Sequence, residues 1–325
     1  MGLLVDGEWR DRWYDTAKSG GRFVREEATF RRWVRADPAA EFPAAAGRYH
    51  LYVSRACPWA HRVLIVRKLK RLEDVIGLSV VAPLWGDAGW TFAGATAADG
   101  GDALYDLTHL HELYTRADPR FTGRVTVPTL WDRERETIVN NESADLVRML
   151  DREFDAFTDV RLDLYPEDLR PEIDAINERV YAAINNGVYA AGFASTQEAY
   201  EEAYDRLFAA LGEVEARLGE RRYLCGDRLT EADWRLFTTL IRFDTVYYLH
   251  FKCNERRLVD YPNLWAYTRE LYQHPGIAAT VDLEECKRHY YGSHASLNPK
   301  GLIPRGPTLD LTAAHGRERL RGAAS

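Results

Sequence analysis

Long hydrophobic runs are missing from this 325-residue chain: stretches such as VLIV at 63–66 last a few residues, against the ~20 needed to cross a bilayer. No membrane span is expected. Excess positive charge is missing too, since 43 Lys and Arg against 50 Asp and Glu leave a net charge of -7. That balance offers no footprint for a phosphate backbone, so nucleic acid and anionic membrane surfaces are not expected partners. The four cysteines, Cys57, Cys225, Cys253 and Cys286, lie far apart, with no CxxC pair and no histidine at finger spacing. Neither a disulfide scaffold nor a metal site is indicated, and reduced thiols in a cytoplasmic setting fit best. The opening MGLLVDGEWRDRW lacks the basic start and long apolar core of a secretory signal. Asp6 stands where acylation at Gly2 would require Ser or Thr.

What is present is a globular composition, 46% apolar and 29% charged, in a chain long enough for two cores. Residues 1–46, rich in Gly, Arg, Trp and Phe, show no sustained period and read as an arm laying aromatics on another surface. From HLYVS, at 50–54, the pattern sharpens into a strand, followed by a helix over 58–73 with Ile65, Leu69 and Leu72 at helical spacing. GLSVVAPL at 77–84 reads as a second, parallel strand joined by a right-handed crossover. The Gly-rich stretch 89–106 is expected to be a long functional loop. A helix over 107–118 follows, then a hairpin of TVPTLWD and ETIVN, then a helix opening at Asn141 or Glu142. This β-α-β-α-β-β-α order predicts a mixed four-stranded sheet with helices on its faces, the thioredoxin arrangement, over 47–155. Residues 156–291 show helical periods only, at 168–187, 196–219, 230–250, 262–273 and 281–291, and predict an all-helical domain. Thr230 and Asp233 have capping-box spacing and read as a helix nucleus. The tail, 292–325, is punctuated by Gly and Pro and reads as coil.

The stretch ACPWAH at 56–61 sits at the seam between the first strand and first helix. Pro58 suits the first helical position, which puts Cys57 at the N-cap, where the helix dipole favours a thiolate. Arg55 adds positive potential. Ala60 stands where a dithiol oxidoreductase has its resolving cysteine, so an external thiol must release any mixed disulfide, and glutathione is the cytosolic candidate. VPT at 127–129 lies where this fold carries a cis-proline loop, leaving the Val127 backbone to pair with a peptide-like ligand. Glu142 and Ser143 open a helix whose amides, hydroxyl and carboxylate suit a γ-glutamyl group. His61 reads as a structural residue on the first helix. Trp90, Tyr189 and Tyr290, taken singly, read as packing aromatics.

Taken together, SRACPWAHR, GWTF, TGRVTVPTLWD, TIVNNESAD, NNGVYAAGFA, HYYGSH and NPKGLIPRGP resemble the glutathionyl-hydroquinone reductases, the Xi class of glutathione transferases, over nearly the whole chain. The resemblance implies Cys57 as nucleophile and glutathione contacts from Trp90, Arg124, Val127, Glu142 and Ser143. It further implies that Tyr189 and Tyr290 face the second substrate, with Tyr291 the alternative to Tyr290, and that the protein forms a homodimer. The pattern departs at Lys300, where a smaller residue is expected. The implied activity is reduction of S-glutathionyl-hydroquinones with glutathione as co-substrate and no metal. The alternatives are an Omega-like monothiol transferase acting on mixed disulfides or dehydroascorbate, and a non-catalytic carrier.

Overall fold

The computed structural model describes residues 2–94 and 101–320. Its contacts divide the chain into two units: Met1–Trp13, Glu26–Leu162 and Glu284–Ser293 form the first, and Tyr14–Arg25, Asp163–Leu283 and His294–Ser325 the second. A single cut near residue 155 therefore does not describe the protein. The arm contributes to both units, and the helical segment Glu284–Ser293, far along the sequence, groups with the first.

The first unit is built on strands β3 (Tyr49–Val53), β4 (Gly77–Val80), β6 (Thr129–Asp132) and β7 (Thr137–Asn140) in the order β4-β3-β6-β7. β3 runs parallel to β4 and antiparallel to β6, and β6 pairs antiparallel with β7. This is the expected thioredoxin-type sheet. Helix α1 (Pro58–Leu69) starts with proline at its first position and stops where Arg71 turns the backbone to a φ of 52°. Helices α2 (Leu110–Ala117) and α3 (Ser143–Arg152) complete the expected order. Leu51, Val63, Val66, Leu130, Ile138, Leu146 and Leu150 are wholly buried. β3 is buried on both faces, so its alternation separates two packed layers rather than core from solvent.

The arm carries regular structure that its sequence does not advertise. β1 (Leu3–Val5) pairs antiparallel with β2 (Glu8–Arg10) on one side and with β5 (Gly123–Arg124) on the other. These strands are two or three residues long, too short for a periodicity to register. Of the Gly-rich stretch, residues 95–100 lie outside the described residues.

The second unit is helical. α4 (Arg170–Val180) runs through a π-turn at Tyr181–Asn185 into α5 (Gly187–Gly192), followed by α6 (Gln197–Glu220) and α7 (Glu231–Leu240). A second π-turn at Phe243–Tyr247 leads to α8 (Tyr248–His250), then α9 (Pro262–Gln273). Thr230 and Asp233 form the expected capping box, and Asp233 also accepts from Leu224 N at 2.9 Å and Tyr267 Oη at 2.7 Å. Burial pushes the Asp233 carboxyl up, and these donors oppose that shift. The last helix, α10 (Leu283–Ser293), lies almost wholly in the first unit.

Each unit buries a histidine in neutral form. His50 lies 2.8 Å through Nε2 from Ser79 Oγ, and its ring so crowds Gly77 that a Cβ there would stand 2.3 Å from Nδ1. His250 Nε2 lies 3.0 Å from His294 Nδ1. Burial lowers both His50 and His250 from 6.5 to about 4. The unfolded chain therefore binds more protons than the native protein between those values, so stability is full above pH ~6.5 and falls as the pH drops toward ~4. At pH 5 the expected loss is about 2 kcal/mol per histidine. Urea unfolding at pH 7.5 and 5 checks this, with His50→Gln expected to flatten the slope. A pH-independent midpoint would refute it.

Candidate active site

Cys57 occupies the N-cap of α1 with extended backbone (φ -74°, ψ 120°), as Pro58 at the first helical position requires. Its side chain makes no capping hydrogen bond to the helix. Instead the thiol donates to Val127 O at 3.6 Å. Val127–Pro128 is a cis peptide, so the sulfur rests against the loop that the sequence assigns to ligand pairing. Cys57 is buried, with 9% of its surface exposed.

That loop is pinned from behind. Tyr114 Oη donates to Thr126 O at 2.9 Å, and Thr129 Oγ1 donates to the same carbonyl at 2.8 Å. Asn141 Nδ2 donates to Tyr114 Oη at 3.2 Å, and the Asn141 backbone and side chain pair with Phe30 of the arm. Tyr114 carries no signal of this role in the sequence, and Asn141 reads there only as a possible start of the helix that Glu142 in fact caps.

Glu142 is the N-cap of α3, its Oε1 accepting from Ala144 N at 2.9 Å, and Ser143 Oγ stands 3.4 Å from the same oxygen. Arg62 reaches across from α1, its Nη1 3.4 Å from Ser143 Oγ and its guanidinium 4.5 Å from the Trp59 ring centre. Sequence reasoning missed Arg62, because a charged residue one turn into a helix reads as surface, whereas it is 1% exposed. A helix start with a carboxylate and a buried guanidinium beside it suits a zwitterionic amino-acid group.

Trp90 follows a tight turn in which Gly86 and Gly89 exchange backbone hydrogen bonds. Gly89 has a φ of +76°, and a Cβ there would meet the Trp9 ring at 2.6 Å, so two constraints demand glycine. Trp9 of the arm donates from Nε1 to Asp87 O at 2.7 Å. The arm thus braces this turn. It also holds Arg124: the guanidinium donates to Arg12 O at 2.6 Å and lies 3.4 Å from Glu26 Oε1. Trp90 itself is 5% exposed, and its Nε1 has no acceptor among the described residues. A buried N–H in that state costs about 1–3 kcal/mol, which a bound acceptor would relieve.

α10 borders both loops. Cys286 Sγ lies 4.0 Å from the carbonyls of Arg55 and Ala56, just before Cys57, and His289 Nδ1 lies 2.6 Å from Pro83 O, on the way to Trp90. Tyr290 and Tyr291 follow, 2% and 4% exposed, and burial pushes the Tyr291 phenol up to about 12. Cys57, Val127, Trp90, Arg124, Glu142, Ser143 and Tyr290 all belong to the first unit, whereas Tyr189 belongs to the second. There Tyr189 packs on Phe193, Tyr247 and Phe251 with the Arg25 guanidinium 4.9 Å from its ring centre. His61 is fully buried.

One metal-like cluster occurs among the described residues, His109, His111 and Glu112, with ligand atoms within 4.8 Å. His109 and Glu112 already close the start of α2 as a capping box, and the two imidazoles stack 7° from parallel. Two of the three side chains are thus engaged in holding the helix start, and the cluster reads as a helix cap.

Residues 56–153 match the glutathione S-transferase N-terminal domain, and residues 197–270 its C-terminal domain. The chain is 51% identical to the glutathionyl-hydroquinone reductase YqjG of Escherichia coli, covering 98% of this chain and 99% of that one. It is 52% identical to the glutathionyl-hydroquinone reductase PcpF of Sphingobium chlorophenolicum, with 96% and 98% covered. Among solved structures, a Xi-class transferase from Natrialba magadii superposes with a TM-score of 0.92 at 50% identity, covering 99% and 98% of the two chains. The glutathione-bound structure of YqjG superposes with a TM-score of 0.90 at 48% identity, covering 98% and 99%. No helix among the described residues is long and apolar enough to cross a membrane. With its thioredoxin-like sheet, its helical second unit and these matches, the chain belongs to the glutathione transferase superfamily, in the Xi class of glutathionyl-hydroquinone reductases.

Proposed function

We propose that this protein reduces S-glutathionyl-hydroquinones to hydroquinones with glutathione as co-substrate. The observation that carries the reading is the Cys57 sulfur at the start of α1, 3.6 Å from the Val127 carbonyl on the cis-proline loop. A helix N-terminus favours the thiolate, and the adjacent loop and α3 start suit a tripeptide. Glutathione is held by Trp90, Arg124, Val127, Glu142 and Ser143 in this reading, and the tyrosines Tyr189 and Tyr290 serve the hydroquinone. The active form is a homodimer in the cytoplasm, where glutathione is abundant.

An aryl thioether is a poor target for a thiolate, so a tyrosine phenol first delivers a proton to the ring carbon bearing sulfur and its phenolate takes up the proton of the ring hydroxyl, giving the keto tautomer. Cys57 sulfur then attacks the glutathionyl sulfur. The S–S bond forms, the C–S bond breaks, and its electron pair passes into the ring, which becomes an aromatic phenolate at once and takes a proton from a tyrosine phenol to give the hydroquinone. A second glutathione thiolate attacks the Cys57 mixed disulfide, freeing Cys57 and releasing oxidised glutathione.

Mixing the protein with one equivalent of an S-glutathionyl-hydroquinone, without free glutathione, is expected to put one glutathione on Cys57 and release one hydroquinone, both read by mass spectrometry. Hydroquinone release with unmodified Cys57 would sink the proposal. Tyr290→Phe and Tyr189→Phe are each expected to lower kcat for the thioether by about 10²-fold and to leave exchange with a small glutathionyl disulfide within threefold, because a disulfide needs no proton at carbon. Equal loss of both activities would instead favour an Omega-like monothiol transferase.

A further inference from the structure

We infer that His289 is a positioning residue for the glutathione site: its ring sets the Trp90 indole so that Nε1 faces the ligand. The inference rests on Trp90 being a glutathione contact. The backbone of Trp90 is held by Leu110 N, which donates to Trp90 O at 2.9 Å. Nothing in that bond fixes the indole's rotation. Two rings do so: His289 stacks on Trp90 at 4.9 Å, 14° from parallel, and Trp85 meets it edge-on at 5.0 Å and 78°.

Those two rings are themselves anchored. His289 Nδ1 lies 2.6 Å from Pro83 O, and since a carbonyl only accepts, Nδ1 carries the proton and the ring's rotation is set. Trp85 donates from Nε1 to Ser293 O at 3.0 Å and from its backbone N to Ser293 Oγ at 3.2 Å. The Trp85 indole N–H is therefore consumed by the fold. The Trp90 indole N–H has no acceptor among the described residues, although the ring around it is tightly oriented. A donor buried, oriented and unsatisfied in this way is prepared for an incoming acceptor. His289, which joins α10 to the 83–90 segment, supplies that preparation; it touches no reacting atom itself.

The test is glutathione affinity by calorimetry on the full chain. His289→Ala is expected to raise the Kd about tenfold, while Cys57 alkylation by iodoacetamide without glutathione stays within twofold. His289→Phe, which keeps a stacked ring and loses the Pro83 bond, is expected to recover affinity to within threefold of wild type. Trp90→Phe removes the N–H; in that background His289→Ala is expected to cost less than twofold, because the positioned group is gone. A merely structural role would give additive losses, and additive losses or an unchanged Kd in His289→Ala overturn the inference. Wild-type protein that binds glutathione but releases no hydroquinone would overturn the functional proposal and leave this one standing.

Discussion

Cys57→Ala abolishes hydroquinone release: kcat is expected to fall by at least about 10³-fold, with the glutathione Kd within threefold of wild type. The split follows from the site's construction. In the proposed reading Trp90, Val127, Glu142 and Ser143 provide donors and acceptors for the tripeptide, and Val127, whose carbonyl the thiol touches, is held in its loop by the cis-proline backbone rather than by the sulfur. In that reading the Cys57 sulfur forms the mixed disulfide, and the position a resolving thiol would occupy is Ala60. Cys286 borders the same loop, 4.0 Å from the carbonyls of Arg55 and Ala56, so Cys286→Ala is the proper control and is expected to keep kcat within threefold. Turnover in Cys57→Ala within tenfold of wild type would show that glutathione itself attacks the thioether, with the protein acting only as a template.

The largest effect on stability is expected at Arg317, in the C-terminal tail. Its guanidinium is fully buried in the second unit. Nε donates to Glu270 Oε2 at 3.1 Å, Nη1 to Leu218 O at 3.0 Å, and Nη2 to Arg221 O at 2.9 Å and to Arg222 O. Leu218 lies in the last turn of α6, so this cation satisfies carbonyls that a helix end leaves orphaned, at the negative end of its dipole. It also stands 5.5 Å from the ring centre of Tyr267, whose hydroxyl donates to Asp233 of the capping box. Arg317→Ala leaves Glu270 and the α6 carbonyls without that donor in a dry interior, and is expected to cost about 3–5 kcal/mol. Arg317→Lys should recover less than half, because one ammonium cannot span the carboxylate and the helix end together. Urea unfolding measures both. A loss under about 1 kcal/mol in Arg317→Ala would show that the tail's other contacts suffice.

Legibility differed between residues for physical reasons. Pro58 after Cys57 places a helix start through its fixed φ and missing donor, so the N-cap cysteine was readable from two adjacent letters, and the structure has it there. Thr230 with Asp233 was readable because capping is local in sequence. The β1–β2–β5 sheet was not: its strands are too short to show a period, and its partner Arg124 stands more than a hundred residues from Leu3. Arg62 and Arg317 look like surface charge in the sequence and are 1% and 0% exposed, since burial of a cation depends on acceptors that arrive from elsewhere in the chain.

What the sequence determined by itself was therefore whatever propagates through near neighbours: the strand-helix seam with its lone thiol, the order of elements in the sheet, the helical second half, and a chain of motifs long enough to identify the class. Tertiary structure alone decided that α10 belongs with the sheet unit, that His289 lies on Trp90, and that the arm braces Gly89 and Arg124. Those are contacts between segments tens to hundreds of residues apart. Local propensity carries no information about them, because the energy that selects them appears only when both surfaces leave water together.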